Sequence, residues 1–138
     1  MLTCRCCEGC AKYAPVFLRV VTGLIFVVHG YQKWSGGVDQ FAGFLATLGF
    51  PAPMFFAWVV TLVEIFGGAA LLIGFLTHWA AKLLAIDMIV ALFVVHVDKG
   101  FYVSEGGYEF VLLLLASVIF FMSTGPGMWS MDESRKKA

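Results

Sequence analysis

Four cysteines crowd into seven residues near the start of the chain, Cys4-Arg5-Cys6-Cys7-Glu8-Gly9-Cys10, and no other cysteine follows them. Cys4, Cys7 and Cys10 have the C-x2-C-x2-C spacing of the first three ligands of a bacterial ferredoxin-type iron–sulfur cluster, and Ala14, followed by Pro15, stands where the fourth would be. Cys6 could supply a fourth thiolate, although its adjacency to Cys7 strains a cubane. Zinc or Cu(I) tolerates so dense a thiolate set more readily. Acylation and an unligated tail are the alternatives.

A second set of reactive side chains interrupts or borders long apolar runs: Arg19, His29, Lys33, Glu64, His96 and Glu109. A charge at the centre of a bilayer costs at least about 2.5–3.5 kcal/mol, so each of these residues needs a partner or a task. His29, Lys33 and Glu64 read as the lining of a polar pocket opening outward, with His96 and Glu109 at its outer margin. Imidazole or ammonium can hydrogen-bond a quinone carbonyl, and a carboxylate can carry the proton that accompanies reduction. Two histidines and two carboxylates would also suit a divalent metal, although they are widely spaced in the chain. The structural alternative is helix pairing, with Arg19 reaching Glu64 and His29 competing for the same carboxylate. Asp98, Lys99 and Glu105 read as solvated interfacial charges.

The elements that must hold these groups are set by composition. With 61% hydrophobic and 13% charged residues among 138, and a mean hydropathy of +0.91, the chain has too little polar surface to cover a soluble globule. Four apolar runs, about 14–34, 54–76, 79–97 and 108–124, are long enough to cross a bilayer about 30 Å thick. Helices satisfy their own backbone groups in lipid, so the expected fold is an all-α bundle of four transmembrane helices rather than a barrel. Phe41, Phe44, Leu45 and Leu48 recur at helical spacing before Pro51 and Pro53, which predicts a short amphipathic helix in the interface between the first two spans. Residues 1–13 then form a Cys-rich N-terminal segment, 14–124 the transmembrane domain and 125–138 a tail. On the first span, Arg19, Thr22, Gly23, Phe26, His29, Gly30 and Lys33 share an arc of roughly 120°, a polar or small face pointing into the bundle. Glu64 shares its side with Gly67, Gly68 and Leu71, glycines that let a neighbouring helix come close.

Arg5, Lys12, Lys82, Arg135, Lys136 and Lys137 fall on the side of both termini, against Lys33 and Lys99 on the other, which predicts cytoplasmic termini in a prokaryotic inner or plasma membrane. That placement argues against disulfides. The first run is too long for a signal-peptide core and reads as a retained span.

Taken together, Arg19-x3-Gly23, Phe26-x2-His29-Gly30-x2-Lys33, Glu64-x2-Gly67-Gly68-x2-Leu71-Leu72-x-Gly74, Gly107-x-Glu109 and Gly125-Pro126-Gly127 resemble the DoxX family of small membrane proteins, over about Val16 to Asp132. The resemblance implies a four-helix membrane fold and an association with redox chemistry, the family including a subunit of a thiosulfate:quinone oxidoreductase and members that join sulfurtransferases and superoxide dismutase in membrane complexes. It places Arg19, His29, Lys33, Glu64 and Glu109 at the family's polar positions. The cysteine cluster is not part of that pattern.

Two functions follow as expectations. One is a membrane subunit of an oxidoreductase or respiratory-type complex that contacts quinone between its helices. The other is a non-catalytic subunit whose buried charges fix helix pairing and whose apolar exterior packs on partners. Transport is disfavoured because no pair of interrupted helices occurs in corresponding halves. No flavin, nicotinamide or P-loop pattern and no Ser/His/Asp set is present, so electrons must come from a redox partner or from the cysteines. The expected partners are the bilayer, other subunits of a membrane complex and a second copy of the chain, and not nucleic acid.

Overall fold

The computed structural model describes residues 11–137, with side chains through Arg135. The cysteine cluster lies outside the described residues. Within them the chain is helical throughout its apolar runs. Helix α1 is Ala14–Ser35, entered through Pro15 in its first turn. Helix α2, Val38–Thr47, is the short amphipathic element. The second span is built from α3 (Pro53–Leu62), a π-helical turn over Val63–Gly67 and α4 (Gly68–Ile73). The third joins α5 (Thr77–Val90) to a second π-helical stretch over Ala91–His96. Helix α6, Glu109–Thr124, is the fourth apolar helix, and α7, Met131–Lys137, follows it. The first three spans, Ala14–Ser35, Pro53–Ile73 and Thr77–Lys99, are each long and apolar enough to cross a membrane, and α6 is a shorter apolar helix beside them.

Three glycine contacts draw α1 onto the second span. A Cβ on Gly23 would stand 2.7 Å from the backbone nitrogen of Leu72, one on Gly68 2.8 Å from the Phe26 Cβ, and one on Gly30 2.9 Å from the Ile65 nitrogen. The backbones therefore meet with no side chain between them, the close approach by which small residues join helices in lipid. Between the second and third spans the chain turns at Gly74, whose φ of +70° no L residue adopts cheaply; the Phe75 amide bonds to the Ala70 carbonyl and that of Gly74 to Leu71, closing a Schellman cap.

Packing is uneven along the bundle. Toward the termini, Phe26, Leu71, Leu84, Val118 and Phe121 form a continuous core between all four spans. On the opposite side the second span leans away: α3 packs on α2, burying Val38, Ala42, Leu45 and Ala57, while α5 packs on α6. A cavity lies between these two clusters.

Candidate functional site

The cavity has a volume of about 530 Å³, within the range of small-molecule sites. Its walls are mainly Val, Leu, Ile and Phe, and five polar or charged side chains reach it: His29, Lys33, Glu64, Asp87 and His96. Val59 and Val90 line it and are also exposed on the outside of the bundle, so it is reached sideways, between the second and third spans.

Each polar group is placed by a local feature of the fold. Gly30 brings α1 so close that its missing Cβ would lie 3.0 Å from the Glu64 Cβ, which sets Glu64 level with the segment carrying His29 and Lys33. Lys33 Nζ then donates to Glu64 Oε2 at 2.5 Å, while its ammonium also lies 5.3 Å from the centre of the Phe41 ring on α2. Glu64 is 4% exposed and sits in the first π-helical turn. His96 ends the second π-helical stretch; its Nδ1 is 2.6 Å from the Gly106 carbonyl. A carbonyl can only accept, so Nδ1 carries the proton and Nε2 is the free nitrogen. His29 faces the cavity beside the Phe110 ring, centroids 6.1 Å apart. Extra-residue turns of this kind recur at functional sites because they break the regular ladder and re-aim side chains.

Asp87 is the member that sequence reasoning missed. It occupies the middle of the third span, lines the cavity and interacts electrostatically with both Glu64 and Lys33, and its Oδ2 is fully buried with no hydrogen-bond partner among the described residues. The signal was available: one acidic residue in Leu83-Leu84-Ala85-Ile86-Asp87-Met88-Ile89-Val90 is as costly in lipid as Glu64.

Two expected placements are corrected. Arg19 does not meet Glu64. Eleven residues separate it from Gly30, the level of Glu64, which is about 16 Å along a helix and beyond the reach of a guanidinium. It is instead 2% exposed and donates through Nη1 to the carbonyls of Pro126 and Met128 and through Nη2 to that of Trp129, at 2.5, 3.3 and 2.9 Å. Arg19 thus pins the segment after α6 beneath the bundle. Asp132 fastens the same segment from the other side, its two carboxylate oxygens accepting from the Leu76 and Thr77 amides at the start of α5. Partial burial works against ionisation of Asp132, but these amide bonds and the charge of Arg135 outweigh it and hold the carboxyl below the ordinary aspartate range. Glu109 is likewise turned away from the cavity: its Oε1 accepts from the Val103 amide at 2.6 Å and braces the loop before α6. Among the described residues no three His, Asp or Glu side chains are placed together as metal ligands. The cysteines bear on neither correction, because they lie outside the described residues.

The fold and the cavity define a class: a small helical membrane protein whose spans part on one side around a carboxylate-bearing apolar chamber. The chain belongs to the DoxX family, whose profile matches residues 14–97. It is 35% identical over 123 residues to "Putative oxidoreductase CatD" of Bacillus subtilis, covering 88% of this chain and 86% of that one. It is 33% identical over 132 residues to "Uncharacterized membrane protein Rv3486" of Mycobacterium tuberculosis, covering 88% and 81%. With "Inner membrane protein YqjF" of Escherichia coli the identity is 28% over 121 residues, covering 86% and 89%. No solved structure matches the chain.

Proposed function

We propose that this chain is the quinone-contacting membrane subunit of an oxidoreductase complex. The observation that carries the reading is the cavity: apolar walls that suit a lipid-soluble ring, an opening toward the bilayer, and a Lys33–Glu64–Asp87 set at its polar end. The fit rests on Asp87 Oδ2, a buried polar atom with no partner, which a ring oxygen bearing or accepting a proton would satisfy. The name of the Bacillus subtilis relative supports a redox setting. In this reading the termini face the cytoplasm, the cysteines hold an iron–sulfur cluster, zinc or copper, and electrons arrive from that centre or from a partner subunit, since the membrane domain itself has no cofactor-binding fold of its own.

The test fills the cavity without touching its charges. Ala91 lines the chamber, and Ala91→Phe would occupy it from the third span. Gently purified from native membrane, the wild-type complex should carry quinone in stoichiometric amount. Ala91→Phe should assemble to the same abundance and lose most of that quinone. A quinone-free wild-type chain, recovered only with large partners, would make this a structural subunit and Lys33–Glu64 a helix-pairing contact.

A further inference from the structure

Resting on the quinone reading, we infer that Asp87, and not Glu64, is the residue that hydrogen-bonds the ring oxygen of the ligand and exchanges its proton. The two cavity carboxylates are not equivalent. Glu64 is already neutralised by the Lys33 ammonium at 2.5 Å and is locked against α1 at Gly30. Among the described residues Asp87 has no ammonium of its own, and its buried oxygen has no donor, at the same chamber wall. A carboxyl group meets both forms of a quinone: as an acid it donates to a carbonyl, and as a carboxylate it accepts from a hydroxyl. Lys33 with Glu64 forms a neutral pair that fixes the local field, while Asp87 is free to change its proton with the ligand.

The ionisable groups that line the cavity with Asp87 belong to three elements. His29 and Lys33 come from α1, Glu64 from the second span and His96 from the outer end of the third; α6 presents only apolar side chains to the chamber, its Glu109 being engaged by the Val103 amide. With Lys33 and Glu64 paired, the carboxyl group left to take up or release a proton on binding is Asp87. His29 and His96, whose Nε2 is free, are the competing sources, and the variants below separate them from Asp87.

Anaerobic binding of a decyl-substituted benzoquinone and the matching hydroquinone to the purified protein in lipid nanodiscs tests this. Protons exchanged on binding are read from titrations in buffers of different ionisation heat. Asp87→Leu should weaken both ligands about tenfold or more, the worth of a hydrogen bond to a charged or ionisable group. Asp87→Asn, which keeps a donor and an acceptor but no titrating proton, should bind within a few-fold of wild type and lose the proton exchange. Retained exchange in Asp87→Asn overturns the inference, its loss in His29→Gln or in His96→Gln naming the histidine responsible; unchanged affinity in Asp87→Leu overturns it as well. Should Asp87→Leu fail to assemble, the proton count in Asp87→Asn decides. Failure of the wild type to bind either ring overturns the quinone reading, and with it this assignment; binding by the wild type with no effect at Asp87 overturns the assignment alone.

Discussion

Arg19 carries a buried charge that is hydrogen-bonded by backbone dipoles, with the Asp132 carboxylate acting on it through its charge. A guanidinium presents five donors in a planar fork, and three inward-turned carbonyls of residues 126–129 accept from it. Arg19→Ala leaves those carbonyls without donors and should lower the stability of the detergent-solubilised protein by at least about 2 kcal/mol, while Arg19→Lys, with the charge but not the fork, should recover only part of it. Chemical-denaturation midpoints of the three proteins check this, and equal midpoints for all three would remove Arg19 from the framework. The partner of Arg19 was not legible in the sequence. Its acceptors are backbone atoms of Gly-Pro-Gly-Met-Trp, which carry no side-chain signature, and depth arithmetic alone made Glu64 the obvious candidate. By contrast, the shared face of His29, Gly30 and Lys33 could be read directly from helical spacing. Asp87 was equally readable, as a lone carboxylate in the middle of an apolar run.

At the level of elements, the all-helical fold and the amphipathic helix before Pro51 were open to reading, since hydrophobic length and 3.6-residue spacing report on exactly those properties of a chain in lipid. The π-helical turns were not. Neither Val63–Gly67 nor Ala91–His96 contains proline or a run of small residues that would mark such a turn in the sequence. The glycine contacts between α1 and the second span give a sharp contrast within one residue type. Gly23→Ala puts a methyl 2.7 Å from the Leu72 nitrogen and 2.8 Å from the Gly68 carbonyl oxygen, so one helix must move. A loss of about 1–3 kcal/mol is expected, the usual cost of overpacking. Gly43→Ala, on α2 with nothing within 4 Å of the added carbon, should be neutral or stabilising by up to about 1 kcal/mol. Thermal melts in detergent decide, and a Gly23 variant as stable as the Gly43 variant would mean that the helices do not meet there.

For the whole molecule, the exterior is built for two boundaries. Trp34 is exposed on the side of the bundle away from the termini, and Trp79 and Trp129 on the side of the termini, 64% and 71% exposed, in keeping with the preference of these rings for the head-group level. Versions retaining one of these three tryptophans should be quenched more strongly by lipids brominated near the head group than by lipids brominated at the chain end; the reverse order would place the bundle at a different depth. The clasp made by Arg19 joins the two ends of this body. Its acceptors begin at Pro126, 107 residues further along the chain. During synthesis the first span therefore enters the bilayer with its guanidinium unmatched, and it stays so until the fourth helix has been made and residues 126–129 have folded back. A chain that stalls before that point keeps this charge without the carbonyls that accept from it.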